Sequence, residues 1–178
     1  KSMLANHEPM SKPYRITVHH TAEPLASDTL PASCAEARNI QMLHIRDRHW
    51  ADIGYHFLID RAGRVIEGRS LETQGAHAGN SDSNKGNIGI ALLGNFAAQR
   101  DRGPEYMKVQ EPAPAQLQAL DELVNALMKT YDIPAREIWA HEHFRDTECP
   151  GPRLRSWVIA KRSQRTIGAS AVHASASR

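Results

Sequence analysis

Short apolar runs alternate along the chain with longer segments whose apolar residues recur every three or four positions. Residues 14–19 carry Ile16, Thr17 and Val18 in succession, β-branched side chains that suit a pleated strand. An unbroken run of this kind predicts a central strand covered on both faces. A loop with Pro24 and Pro31 follows, and Ser33 with Glu36 has the spacing of a capping box. Ala37, Ile40, Leu43 and His44 then fall at helical intervals, which predicts a helix to about Arg48. Residues 55–59 read as a second strand, 60–63 as a turn and 65–67 as a short hairpin partner. The segment 75–87 is rich in Gly, Asn and Ser and reads as a loop, and 88–93 as a strongly apolar strand. Pro114 opens a helix, as proline is allowed to do in a first turn. Leu117, Leu120, Val124, Leu127 and Tyr131 give that helix one apolar stripe. It ends before Pro134, and 138–140 forms a last short strand.

Strands that alternate with helices predict an α/β fold: a central mixed sheet of about five or six strands flanked by helices. The chain has 178 residues, 40% of them hydrophobic, which fits a single domain with its own core. The domain is expected over 13–159. Residues 1–12 are polar and aperiodic and are expected to form an arm. Residues 160–178 are expected to form a disordered, basic Ala/Ser-rich tail. The loop at 97–112 exceeds the usual connection of about 4–6 residues, and Arg100, Arg102 and Tyr106 make it a candidate groove wall. No apolar run approaches the roughly 18 residues that span a bilayer, so no membrane span is expected. A formal charge of +2 is too mild to imply nucleic acid as a partner. Two cysteines are too few for a disulfide scaffold.

Ten histidines are many for this length, and two places concentrate metal-type ligands. The first is Val18-His19-His20-Thr21, where the first strand runs out. The second is Ala140-His141-Glu142-His143, with Cys149-Pro150 a few residues on. A polar loop can bring a histidine and a cysteine eight apart onto one point, and a remote strand can add a third ligand. Imidazole and thiolate suit zinc, and three protein ligands with an open position is the catalytic arrangement. Neighbouring strand residues point to opposite faces, so only one of His19 and His20 can aim at the metal. His143 competes with His141 for the second ligand position. Cys149 can instead be a small buried hydrophobe or pair with Cys34.

These residues lie within five ordered blocks that resemble one family. The blocks are ITVHHTA (16–22), WADIGYHFLIDRAGRVIEGR (50–69), GAHAGN (75–80), NIGIALLGNF (87–96) and AHEHFRDTECPG (140–151). Together they resemble the zinc-dependent N-acetylmuramoyl-L-alanine amidases of the type-2 amidase family, which includes phage endolysins and the animal peptidoglycan recognition proteins. The resemblance covers about residues 14–157. It implies Zn2+ as cofactor, with His19, His141 and Cys149 as its ligands. Tyr55 corresponds to the tyrosine that orients the attacking water, and Thr147 to a position that helps stabilise the oxyanion. His77, Asn80 and Asn87 fall in the region that lines the substrate groove in relatives.

The activity implied is hydrolysis of the amide bond between N-acetylmuramic acid and L-alanine in peptidoglycan. The partner is then a peptidoglycan or muropeptide substrate, and the chain a monomer in the periplasm or outside the cell. A non-catalytic peptidoglycan-binding module of the same fold is the alternative. The animal proteins carry a disulfide near the first helix, whereas Cys34 lacks a partner other than Cys149. That favours a bacterial or phage origin.

Overall fold

A computed structural model describes residues 7–25, 27–100 and 102–164. Strand β1 (Arg15–His20) leads into helix α1 (Leu30–Arg46). The hairpin β2 (Phe57–Ile59) and β3 (Val65–Glu67) follows, then the short helix α2 (Ser81–Asn84) and strand β4 (Asn87–Leu92). Helix α3 (Pro114–Tyr131), strand β5 (Ile138–Ala140) and helix α4 (Pro152–Arg162) complete the order. The five strands form one sheet in the order β3-β2-β4-β1-β5. β1 pairs in parallel with both β4 and β5, β2 is parallel to β4, and β3 alone is antiparallel. The sheet is therefore mixed, with helices on both faces, as the alternating pattern predicts.

Side-chain alternation splits the sheet into two faces. Ile16 and Val18 of β1 join Ile88, Ile90 and Leu92 of β4 in the main core. Leu120 and Val124 of α3 and Leu154 and Val158 of α4 pack against them. On the other face, Leu58 and Leu93 meet Ile53 and Ile40 of α1 in a smaller cluster. Thr17 and His19 point to this second face and are fully buried. α3 is locked to the strand ends by a buried polar residue. Gln116 donates to the carbonyls of Ile59 and Leu93 (3.1 and 3.0 Å), while its Oε1 accepts from Ala113 N. One side chain thus satisfies Ala113 N and the Leu93 carbonyl and adds a second donor to the Ile59 carbonyl, which also accepts from Leu93 N.

Three expectations need correction, and one alternative falls away. Helix α1 starts earlier than the Ser33–Glu36 spacing predicts: Thr29 is the N-cap, its Oγ1 accepting from Ala32 N, and Pro31 lies in the first turn. Ser33 is buried within that turn and donates to Thr29 O. Residues 7–12 are not a free arm, because Pro9 bridges Thr73, Met10 N donates to Glu72 O, and Met10 packs on the main core. The domain boundary at 160 falls inside α4. Lys161 is buried, and its ammonium donates to Asp121 and Asn125 of α3, at 2.7 Å each. The rest of the expected tail, from 165, lies outside the described residues, as do residues 1–6. Cys34 and Cys149 do not pair: both are free, the first exposed and the second buried.

Arg162, at the end of α4, stacks over Trp139 and donates to the carbonyls of Arg136 and Ile138. Strand β5 is an edge, and this guanidinium occupies part of its open hydrogen-bonding side.

Buried imidazoles, His44 and His56 among them, set how the fold responds to acid. His44 accepts from Gly54 N and His56 from Gly89 N, each through Nδ1 at 3.0 Å, so both must be neutral. Burial pushes each from 6.5 to about 4. Above pH 6.5 both folded and unfolded chains carry these residues neutral, and stability is full. Below it the unfolded chain takes up protons that the folded chain refuses until about pH 4, so stability falls through that window. At ~1.4 kcal/mol per pKa unit each site contributes roughly 3 kcal/mol. Denaturant titrations between pH 7 and pH 4 should show a steep loss of unfolding free energy that His56→Gln flattens.

Candidate metal centre and its groove

The centre forms where β1 runs out. His19 is the fifth residue of β1 and pairs with Ala91 of β4. His141 follows directly on β5, which pairs with β1 one register step away, at Val18↔Ala140. Two histidines from different chain segments thus arrive side by side, their ring centroids 4.4 Å apart. Cys149 returns from the loop beyond. Glu142 N donates to Cys149 O, and Cys149 N donates to Thr147 Oγ1 at 3.2 Å. The following Gly151 has φ +91°, and any Cβ there would lie 2.2 Å from the Phe96 carbonyl. Only glycine lets the loop press against β4's end.

His19, His141 and Cys149 place one ligand atom each within 4.8 Å of one another. Cys149 Sγ lies 3.8 Å from His19 Nδ1 and accepts from His20 N at 3.4 Å. Nε2 of His141 is buried and has no hydrogen-bond partner, an exceptional state for a buried ring nitrogen. Burial holds the His19 imidazole well below its ordinary value, with His141 adding to the effect. Burial, then the charge of Arg145, lowers His141 to about 4, and burial raises the Cys149 thiol to about 12. Both rings are therefore neutral and offer lone pairs, and the thiol is protonated. Two imidazoles and one sulfur around an unpartnered nitrogen fit zinc.

The competing residues are accounted for. His20 turns to the opposite side, where its Nδ1 accepts from Phe96 N at 3.0 Å. His143 is exposed and stacks on Trp139 at 3.7 Å. Tyr55 lies 5.1 Å from His19, ring centre to ring centre. Burial, with the nearby Cys149, raises its hydroxyl above the ordinary value, so it is a proton donor rather than a base. Tyr55 is held from behind: its carbonyl accepts from Arg69 N, and the buried Arg69 guanidinium spans the carbonyls of Asp52, Ile53 and Gln74. A cavity of about 420 Å3 opens over the group, with Tyr55, Asn80, Arg102, Arg145 and Thr147 on its walls.

The residues expected to touch substrate divide. Asn80 borders the cavity, and its Oδ1 caps α2 by accepting from Ser83 N at 2.8 Å. Asn87 is fully buried and held by Thr17 and the Ser83 carbonyl, so it is part of the frame and not of the groove. His77 touches the cavity but is only 6% exposed, and both its ring nitrogens are engaged. The 97–112 loop brings Gln99 and Arg102 to the cavity edge. Arg102 pairs with Glu23, to which Tyr106 also donates (2.9 Å), so the ring is tied to the loop after β1.

Sequence reasoning missed two supports. Asn84 Oδ1 accepts from both His77 N and Ala78 N (2.9 and 2.8 Å). Arg155 of α4 forms a bidentate pair with Glu142, clamping the turn that carries His141. Glu142 between two histidines was a readable signal; its partner on an unforeseen helix was not.

With this geometry in hand, the comparisons are specific. Residues 9–152 match the Amidase_2 family, N-acetylmuramoyl-L-alanine amidase, and the chain belongs to that family. It is 37% identical over 140 residues to peptidoglycan recognition protein 1 of Bos taurus, covering 78% of this chain and 67% of that one. Among solved structures it resembles a tyrosine-to-phenylalanine mutant of Drosophila PGRP-LB in complex with tracheal cytotoxin. There the TM-score is 0.73 and the identity 29%, over 86% of this chain and 85% of that one. It also resembles the N-acetylmuramoyl-L-alanine amidase LysC from Clostridium intestinale, with a TM-score of 0.65 and 29% identity over 87% and 90%. Relatives from animals and from a bacterium alike give no support to the expected bacterial or phage origin. No described helix is long and apolar enough to cross a membrane.

Thiol reactivity checks the geometry of the centre. In metal-free native protein at pH 8, a thiol reagent should modify the exposed Cys34 quickly. The buried Cys149, with its raised pKa, should react only on unfolding. Two fast thiols per chain would mean that Cys149 is not enclosed as described.

Proposed function

We propose that the chain is a zinc-dependent amidase that hydrolyses the bond between N-acetylmuramic acid and L-alanine in peptidoglycan or its muropeptides. The observation that carries this reading is the unpartnered, buried Nε2 of His141 beside the Nδ1 of His19 and the thiol of Cys149. His19, His141 and Cys149 would hold the ion. Zinc, when bound, supplies a Lewis acid that polarises a carbonyl and makes water nucleophilic near neutral pH.

The chain's own residues supply the rest. Tyr55, protonated through the working pH range, orients the attacking water and donates to the developing negative charge. The Thr147 hydroxyl accepts from Cys149 N, which leaves its own O–H free to donate to the oxyanion. Such a positioned donor acts where charge develops in the transition state. A neutral Thr147 adds no charge of its own, in contrast to a lysine. Asn80 and the cationic Arg102 and Arg145 line the walls that receive the substrate. A related protein crystallised with tracheal cytotoxin supports a muropeptide as the ligand class. Such a substrate implies a protein of the periplasm or the cell exterior, and one chain acting as a monomer is sufficient for every group named.

Metal analysis should find one zinc per chain, and a chelator should abolish release of peptide from muropeptide until zinc is restored. Tyr55→Phe should keep its zinc and slow turnover ~10²-fold, the scale of losing one positioned donor. Undiminished hydrolysis after complete zinc removal would defeat the proposal. Tight muropeptide binding by the zinc-loaded chain with no hydrolysis would leave a binding module instead.

A further inference from the structure

His77 lies beside His19 at the edge of the cavity, and its contacts fix where protons sit. His77 Nε2 is 3.0 Å from the Asn87 carbonyl. A carbonyl only accepts, so Nε2 carries the hydrogen and Nδ1 of the neutral ring is a bare acceptor. That Nδ1 is 3.0 Å from His19 Nε2, so His19 must donate there through Nε2–H. The remaining nitrogen of His19, Nδ1, is then left with a lone pair on the side of Cys149 Sγ. The two rings meet edge to face, at 85°.

The surroundings hold His77 in this position. Its backbone N–H is fixed by Asn84 Oδ1. The ring lies between two glycines: a Cβ on Gly75 would come within 2.6 Å of it, and one on Gly89 within 2.5 Å. Asn87, whose carbonyl ends the relay, is anchored by Thr17 and by Ser83. A strand glycine at β4 gives up packing and backbone entropy, and here the space it leaves is filled by an imidazole.

We propose that His77 is a positioning residue for the metal ligand His19. The relay Asn87 carbonyl–His77–His19 selects the His19 tautomer whose Nδ1 is free, and fixes the ring so that this lone pair meets the ion. The inference rests on the zinc reading above. Partners of this kind, beyond the ligands themselves, orient metal-bound imidazoles and commonly change affinity ~10- to 100-fold. A neutral carbonyl at the end of the relay means that the pair of rings delivers orientation without adding negative charge to the site.

Zinc affinity measured by competition with a chromophoric chelator tests this, alongside unfolding of the metal-free protein. His77→Leu fills similar space with no acceptor and should weaken zinc binding ~10- to 100-fold. His77→Asn puts an amide oxygen near the place of Nδ1 and should restore affinity to within about threefold of the parent, a rescue that packing alone does not explain. The visible spectrum of the cobalt-substituted form should shift for Leu and return for Asn. Should His77→Leu not fold, nitrogen-15 NMR of the metal-free parent decides: His19 should be protonated at Nε2 and bare at Nδ1. A proton on His19 Nδ1, or zinc affinity unmoved by His77→Leu, overturns the proposal. A parent chain that binds no zinc overturns the metal centre and this proposal with it.

Discussion

Parallel pairing of β1 with β4 on one side and β5 on the other is the constraint on which the site depends. It buries Ile16 and Val18 in the main core and, by alternation, sends Thr17 and His19 to the opposite face. A one-residue slip would exchange those sets and put His19 into the hydrocarbon core. The register is therefore enforced by the burial of apolar side chains, and His19 takes its position as a consequence. His141 follows directly on β5 beside β1, and the Glu142–Arg155 pair clamps its turn. Only Cys149 has to be brought in by irregular chain, and Gly151, Thr147 and the Glu142–Arg155 pair hold that chain in place.

Neutral histidines are the second organising feature. His20, His44 and His56 each accept a backbone N–H through Nδ1, and His77 accepts from His19. Each replaces a carbonyl or carboxylate as acceptor without bringing a charge inside. Burial keeps His19 and His141 unprotonated, with Arg145 adding to the effect at His141, and raises Cys149. A divalent cation bound there would have to draw the thiol's proton away. Acid sensitivity of the fold and readiness of the centre thus come from the same burial.

Much of this was legible in the sequence where local pattern and tertiary demand agree. The β-branched run at 16–18 marked the central strand, and the stripe from Leu117 to Tyr131 marked α3. The choice of His19 over His20 needed a resemblance, because alternation says only that one of the two faces the site. Helix α4 was overlooked although Leu154, Trp157, Val158 and Lys161 recur at helical spacing after Pro152. Basic residues near the chain's end read as solvated, and the carboxylate that buries Lys161 sits forty residues away on α3. Motif position alone assigns His77 and Asn87 to the groove. Their burial depends on which way each side chain turns from a loop and a strand, and no spacing encodes that.

The central claim is a three-ligand zinc centre with an open position, and X-ray absorption at the zinc edge tests it most directly. Zinc-loaded protein should show two imidazole nitrogens and one light oxygen or nitrogen donor at about 2.0–2.1 Å, with one sulfur at about 2.3 Å. Cys149→Ser should remove the sulfur shell alone. A shell of two or more sulfurs, or one with no sulfur at all, would contradict a centre built from His19, His141 and Cys149.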